Sequence, residues 1–122
     1  VMHAAMKGAS DSNGLTIGVL PADSTRGSSP YAQLKIVTGM GSARNNITVL
    51  SSHVIVVLGM AAGTASEVAL AIKANKKVIL LSQDELTIMF FKKIGTYRVT
   101  PVNTVKDAVN LIRDYVSLNQ IR

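Results

Sequence analysis

The sequence predicts an α/β fold: a doubly wound, Rossmann-like sheet of parallel strands. Two observations predict it. Short apolar runs of strand length alternate with segments of helical spacing along the whole chain. No tight hairpin signal joins any two of the runs, so each connection reads as a crossover, the signature of parallel pairing.

The elements follow in order. Met2, Ala5, Met6 and Ala9 fall at helical intervals, and Asp11-Ser-Asn-Gly14 closes that helix with turn chemistry. Leu15 to Leu20 is a strand. Pro21 to Pro30 is a loop rich in Pro, Ser and Gly, and Tyr31 just after it is a candidate lid residue. Gln33 to Thr38 alternates as a strand. Ser42 is placed to cap a helix running to about Ser51, with Ile47 and Leu50 turned inward. His53 to Leu58 is a continuous β-branched run, the mark of a central strand buried on both faces. Thr64 to Asn75 is a helix with Ala65, Val68, Ala69 and Ile72 on one stripe. Lys76 to Leu81 is a second buried strand. Asp84 to Ile94 is a helix stopped by Gly95. Tyr97 to Thr100 is a short strand. Thr104 to Leu118 is a last helix with Val105, Val109, Ile112 and Val116 on its inner face.

Composition bounds the function. The 122 residues make one domain, 1–122, and 48% apolar with only 16% charged residues is globular rather than disordered. No cysteine is present, which excludes a disulfide framework, a thiol nucleophile and a zinc–thiolate site. No apolar run approaches the length of a bilayer span, and no signal peptide is read, so the expected setting is cytoplasmic, without a membrane. The net charge of +6 comes from scattered residues, with Lys76-Lys77 and Lys92-Lys93 as the only adjacent pairs, and aromatics are 4% of the chain. Scattered charge without stacking platforms points to small anionic ligands rather than to nucleic acid. The histidines, His3 and His53, have no ligand-spaced partner, so no protein-held metal is expected.

In open parallel sheets ligands sit beyond the C-terminal ends of the strands. Two turns occupy that place: Thr38-Gly-Met-Gly-Ser-Ala-Arg44 and Gly59-Met-Ala-Ala-Gly-Thr64. Glycine permits close backbone approach, and each helix start offers N–H donors at the positive end of a dipole. Gly39, Gly41, Ser42, Arg44 and Asn45 in the first turn, and Gly59, Gly63, Thr64 and Glu67 in the second, are the candidate binding residues. Arg44 opposes the dipole of its own helix, which suits a residue kept for its phosphate-matching fork; a solvated arginine is the plain alternative. Glu67 has two readings. Thr64-Ala-Ser-Glu67 fits a capping box worth about 1 kcal/mol, which explains the glutamate without function.

These residues also resemble a known superfamily. Gly41-Ser-Ala-Arg44, the strand from His53 to Leu58 and Gly59-Met-Ala-Ala-Gly-Thr-Ala-Ser-Glu67 are similar to the signature of the lysine-decarboxylase-like (Lonely Guy, or SLOG) proteins, with Arg44 and Glu67 at a matching spacing of 23 positions. The branch resembled most is the molybdenum cofactor carriers, on Gly-Met-Gly-Ser-Ala-Arg-Asn45 and Gly-Thr-Ala-Ser-Glu-Val-Ala-Leu-Ala71. Gly59-Met60-Ala61 and Asn45 depart from the hydrolase pattern, which has Pro-Gly-Gly and a Lys after the Arg.

The resemblance implies a carrier of molybdenum cofactor: a phosphate-bearing pterin cargo that brings its own metal, with no pyridoxal phosphate. It implies a homo-oligomer, dimer or tetramer. The alternatives are a phosphoribohydrolase acting on nucleoside 5′-monophosphates, with Arg44 and Glu67 catalytic, or a nucleotide sensor. It also leads us to expect that a first βαβ portion precedes Val1 in a longer protein, carrying part of the ligand site with it.

Overall fold

The structure is a computed structural model that describes residues 1–120, with residues 119 and 120 described by backbone alone. It has the α/β architecture expected from the sequence, and both of its sheets are parallel. Contacts divide the chain into two compact units, Val1–Ile47 and Thr48–Arg122.

In the first unit, α1 (Met2–Asp11) ends through Asn13, whose φ of 61° lets the Gly14 N–H reach back to the Ala9 carbonyl at 2.7 Å. Asparagine tolerates that left-handed conformation because its short polar side chain costs little there. Strands β1 (Ile17–Leu20) and β2 (Leu34–Val37) pair in parallel, Ile17 opposite Leu34 and Leu20 opposite Val37. Gly18 is buried where the two layers meet: a Cβ on it would lie 3.4 Å from the Ala32 methyl and 3.5 Å from Met6 Cε.

Tyr31 is not a lid. Its ring packs on His3 with centroids 5.1 Å apart, the Lys7 ammonium sits 5.8 Å from its centroid, and its carbonyl accepts the Thr16 hydroxyl. His3 in turn bonds Ser29 Oγ at 2.9 Å. These contacts fasten the end of the loop to α1 and to the entry of β1.

Helix α2 (Arg44–Leu50) follows a 3-10 turn, Gly41–Ala43. Ser42 lies inside that turn and caps nothing. The buried residues of α2 are Asn45 and Val49; Ile47 is half-buried and Leu50, expected inward, is 54% exposed.

The second unit alternates β3 (Val54–Leu58), α3 (Ala62–Lys73), β4 (Lys77–Leu81), α4 (Glu85–Gly95), β5 (Val99–Val102) and α5 (Val105–Gln120). The strand order is β3-β4-β5, with Val54 opposite Lys77 and Val78 opposite Val99. The core joins Val49, Val57, Val68, Ala71, Val78, Leu80, Phe91 and Val99. The centre of this sheet is β4, whose Val78, Ile79 and Leu80 are all buried, and not β3. Although its sequence is uniformly β-branched or aliphatic, β3 is an edge strand of the three, and Val56 and Leu58 are 39% and 40% exposed. On α3 the buried positions are Val68 and Ala71, and Ala69 faces out. On α5 the deepest residue is Ala108, and Val105 is exposed. On α3 the expected Ala65, Val68 and Ile72 do pack on the core, whereas the inner face of α5 runs through Ala108, Leu111, Ile112 and Tyr115, about one residue from the expected stripe.

Asp84 caps α4, accepting the Thr87 N–H at 2.8 Å. The Thr87 backbone donor, then its hydroxyl, hold this carboxyl below its usual range. A carboxyl lowered in the folded state stabilises above its unfolded pKa, and that stabilisation is lost as pH falls through the folded value. The stability advantage of wild type over Asp84→Asn, which keeps a capping oxygen but cannot titrate, is therefore expected to be constant above roughly pH 4 and to shrink below it. Parallel curves throughout would remove the charged cap.

Candidate functional site

The first turn is built by hydrogen bonds to the chain leaving β1. Thr38 N–H, Gly39 N–H and Gly41 N–H donate to the carbonyls of Leu20 (3.2 Å), Ala22 (3.0 Å) and Pro21 (2.9 Å). The Thr38 hydroxyl also donates to the Leu20 carbonyl at 2.7 Å and accepts the Met40 N–H at 3.2 Å. Gly39 and Gly41 have φ of 61° and 56°, a conformation that side chains with a Cβ rarely adopt. Their N–H groups are thus committed to shaping the turn. What this turn exposes is the Ser42 side chain, while Arg44 is half-buried beside it.

Arg44 is not a loosely solvated side chain. Its Nη1 donates to the Val19 carbonyl of β1 at 3.2 Å, which fixes the guanidinium against the strand. Asn45 is 8% exposed and, with Thr16, makes up the buried polar side chains among the described residues. Thr38, the residue that organises the turn, was not singled out from sequence; a lone hydroxyl before a Gly-x-Gly gives no signal until the carbonyls it meets are known.

The second turn lies in the other unit, between β3 and α3. Gly59 has a φ of 72°, and Gln83, following β4, donates to the Gly59 carbonyl at 2.9 Å and to the Leu81 carbonyl at 3.4 Å. Gln83 also escaped the sequence reading, because it is 24 residues from the turn it holds. Helix α3 begins earlier than expected. Its N-cap is Ala61, with no side-chain cap bond, so Gly63 and Thr64 belong to the first helical turn. The capping box is therefore absent: Thr64 lies inside the helix, and Glu67 sits in the second turn, beyond reach of the N-cap N–H. The geometry leaves the N–H groups of Ala62, Gly63 and Thr64 at a helix start with no side-chain cap. A Cβ on Gly63 would meet nothing within 4 Å, so the protein's own packing makes no demand for glycine there.

Among the described residues no cluster of His, Cys, Asp or Glu could hold a metal ion, and no helix is long and apolar enough to cross a membrane.

Comparison with known proteins places the chain in a family. The model of the SLOG cluster4 family matches residues 1–109. An uncharacterised protein of Archaeoglobus fulgidus is 41% identical over 81 residues, covering 66% of this chain and 53% of its own. The chain thus spans about half the length of that curated relative. Among solved structures, the molybdenum cofactor binding protein of the phototrophic bacterium Rippkaea orientalis is 43% identical with a TM-score of 0.91, over 94% of this chain and 71% of that one. The molybdenum cofactor carrier protein of Chlamydomonas reinhardtii is 44% identical with a TM-score of 0.88, over 94% and 70%. By the match over most of its length, the chain belongs to the SLOG cluster4 family.

Proposed function

We propose that this protein binds and carries molybdenum cofactor, held through its phosphate by the start of α3. The observation that carries the proposal is the Gly59–Thr64 turn, where a helix start without a side-chain cap meets a glycine that internal packing does not require. A phosphate fits both features. It accepts from several helix-start N–H groups at once, it gains from the dipole, and it needs the space that a Cβ at position 63 would fill. Thr64 adds a hydroxyl donor. Within the first unit, considered by itself, Ser42 and Arg44 offer a hydroxyl and a fixed cation of the kind that suits an anion. The 43% and 44% identical carriers support the choice of a pterin cargo over other phosphate esters. The metal arrives within the cargo, in keeping with the absence of cysteine. A homo-oligomer, dimer or tetramer, in the cytoplasm is part of the same proposal, and light scattering tests it.

Glu67 decides between carrier and hydrolase. The structure removes its capping role, so Glu67→Gln is expected to change stability by less than about 0.5 kcal/mol. The protein is then incubated with molybdenum cofactor, passed through gel filtration and assayed for co-eluting pterin; AMP is offered separately and released adenine measured. The carrier is expected to retain pterin in wild type and in the Gln variant, with no adenine released. Adenine release by wild type that falls about a hundredfold or more in Glu67→Gln would establish a catalytic carboxylate and overturn the carrier.

A further inference from the structure

At the opposite end of the β3-β4-β5 sheet from the Gly59 turn lies a cavity of about 520 Å³. It is formed where the strands begin: His53 precedes β3, Lys76 and Lys77 open β4, and Arg98 precedes β5. Tyr97 and Tyr115 supply its aromatic walls. The volume falls in the range of small-molecule sites, about 300–1,000 Å³.

Its electrostatics are one-sided. Among the described residues that line it there is no aspartate or glutamate. Among the described residues the ion pair present is Lys7 with Asp11, in the other unit, so none of these cations is neutralised by a carboxylate. The Lys77 ammonium lies 5.0 Å from the Tyr97 ring centroid and 5.5 Å from that of Tyr115, and the Arg98 guanidinium carbon lies 4.7 Å from the same Tyr97 ring. Two cations drawn to one ring are within roughly 10 Å of each other, about one screening length in 0.1 M salt, and repel. The Lys76 ammonium, anchored on the Leu50 carbonyl at 3.1 Å, adds a third positive charge. Cation–π contacts offset only part of that repulsion. An anion entering the cavity would relieve it and would find a forked donor in Arg98, ammonium donors in Lys76 and Lys77, and ring edges and hydroxyls in the two tyrosines.

We propose that this cavity is a second ligand site, for a small phosphate ester of nucleotide size. The site lies wholly in the second unit and does not rest on the carrier function of the Gly59 turn. A carbohydrate or neutral ligand would leave the three charges uncompensated, and inorganic phosphate alone would leave most of the volume and both rings unused.

The test titrates the whole protein with AMP and with inorganic pyrophosphate, followed by calorimetry and by amide chemical shifts. Saturable AMP binding is expected, tighter than pyrophosphate and weakened by salt, with shifts at His53, Lys77 and Arg98. The Lys77→Gln/Arg98→Gln double variant is expected to raise the AMP dissociation constant about tenfold or more, on the scale of charge-assisted hydrogen bonds. The shift map is read on wild type, so it stands even if the double variant melts early. Shifts confined to Gly59–Thr64, an unchanged dissociation constant in a folded double variant, or no saturation by about 10 mM AMP would each overturn the second site. Preferential binding of an acidic peptide over AMP would overturn it in favour of a protein partner.

Discussion

Gly95→Ala is expected to lower stability by about 2 kcal/mol, and the melting temperature by roughly 5–10 °C. The sequence presents Gly95 as a left-handed stop after α4. Instead it is the last residue of the helix, fully inside the core, and the positive φ of 52° falls on Thr96. A Cβ at position 95 would collide with Val99 Cγ2 and come within 3.0 Å of Ile72 Cδ1. Val99 is fully buried at the start of β5 and has nowhere to move. Alanine would recover at most about 1 kcal/mol of helix propensity, less than the overpacking costs. Gly63→Ala is the control: with no neighbour within 4 Å, it should match wild type or gain about 0.5 kcal/mol while weakening cofactor binding. Urea denaturation of both variants is the measurement. A Gly95→Ala protein as stable as wild type would show that the α4–β5 junction does not depend on this close approach.

The second large effect is expected at Arg44. Arg44→Gln should weaken cofactor binding about tenfold to a hundredfold, the scale of hydrogen bonds to a charged group. It should also cost about 1 kcal/mol of stability, because the bond from Nη1 to the Val19 carbonyl ties α2 to β1. Arg44→Lys separates charge from shape. Lysine keeps the positive charge but not the planar fork, so an intermediate loss of affinity is expected. Binding by retained pterin and melting by circular dichroism, on the same samples, read the two effects apart. If Arg44→Gln melts lower yet binds cofactor like wild type, Arg44 is a strut for the turn and the ligand charge is met elsewhere.

Much of this was present in the chain itself. Alternation of apolar runs with helical stripes determined the parallel α/β class, because each run must bury apolar surface in a sheet and each crossover must cover it. The same alternation placed the Gly39–Arg44 and Gly59–Thr64 turns at the C-terminal ends of β2 and β3. The span of α4 was legible too: the helix expected from Asp84 to Ile94 is found at Glu85–Gly95, with Asp84 as its cap.

What only the tertiary structure decided depends on partners far away in sequence. The β-branched run of β3 reads as a central strand, yet β4 is the centre, because neighbour order is not written in a strand's own composition. Thr64-Ala-Ser-Glu67 reads as a capping box, yet α3 starts at Ala62, where backbone geometry rather than a side chain sets the first turn. Gly41 reads as a ligand donor, yet its N–H, like that of Gly39, is taken by a carbonyl that follows β1. The basic cavity was invisible as well, since His53, Lys77, Arg98 and Tyr115 meet only when three parallel strands bring their starting ends together. Local chemistry fixes an element's type over a few residues; which groups remain available to a ligand is settled by the long-range contacts that use up the others.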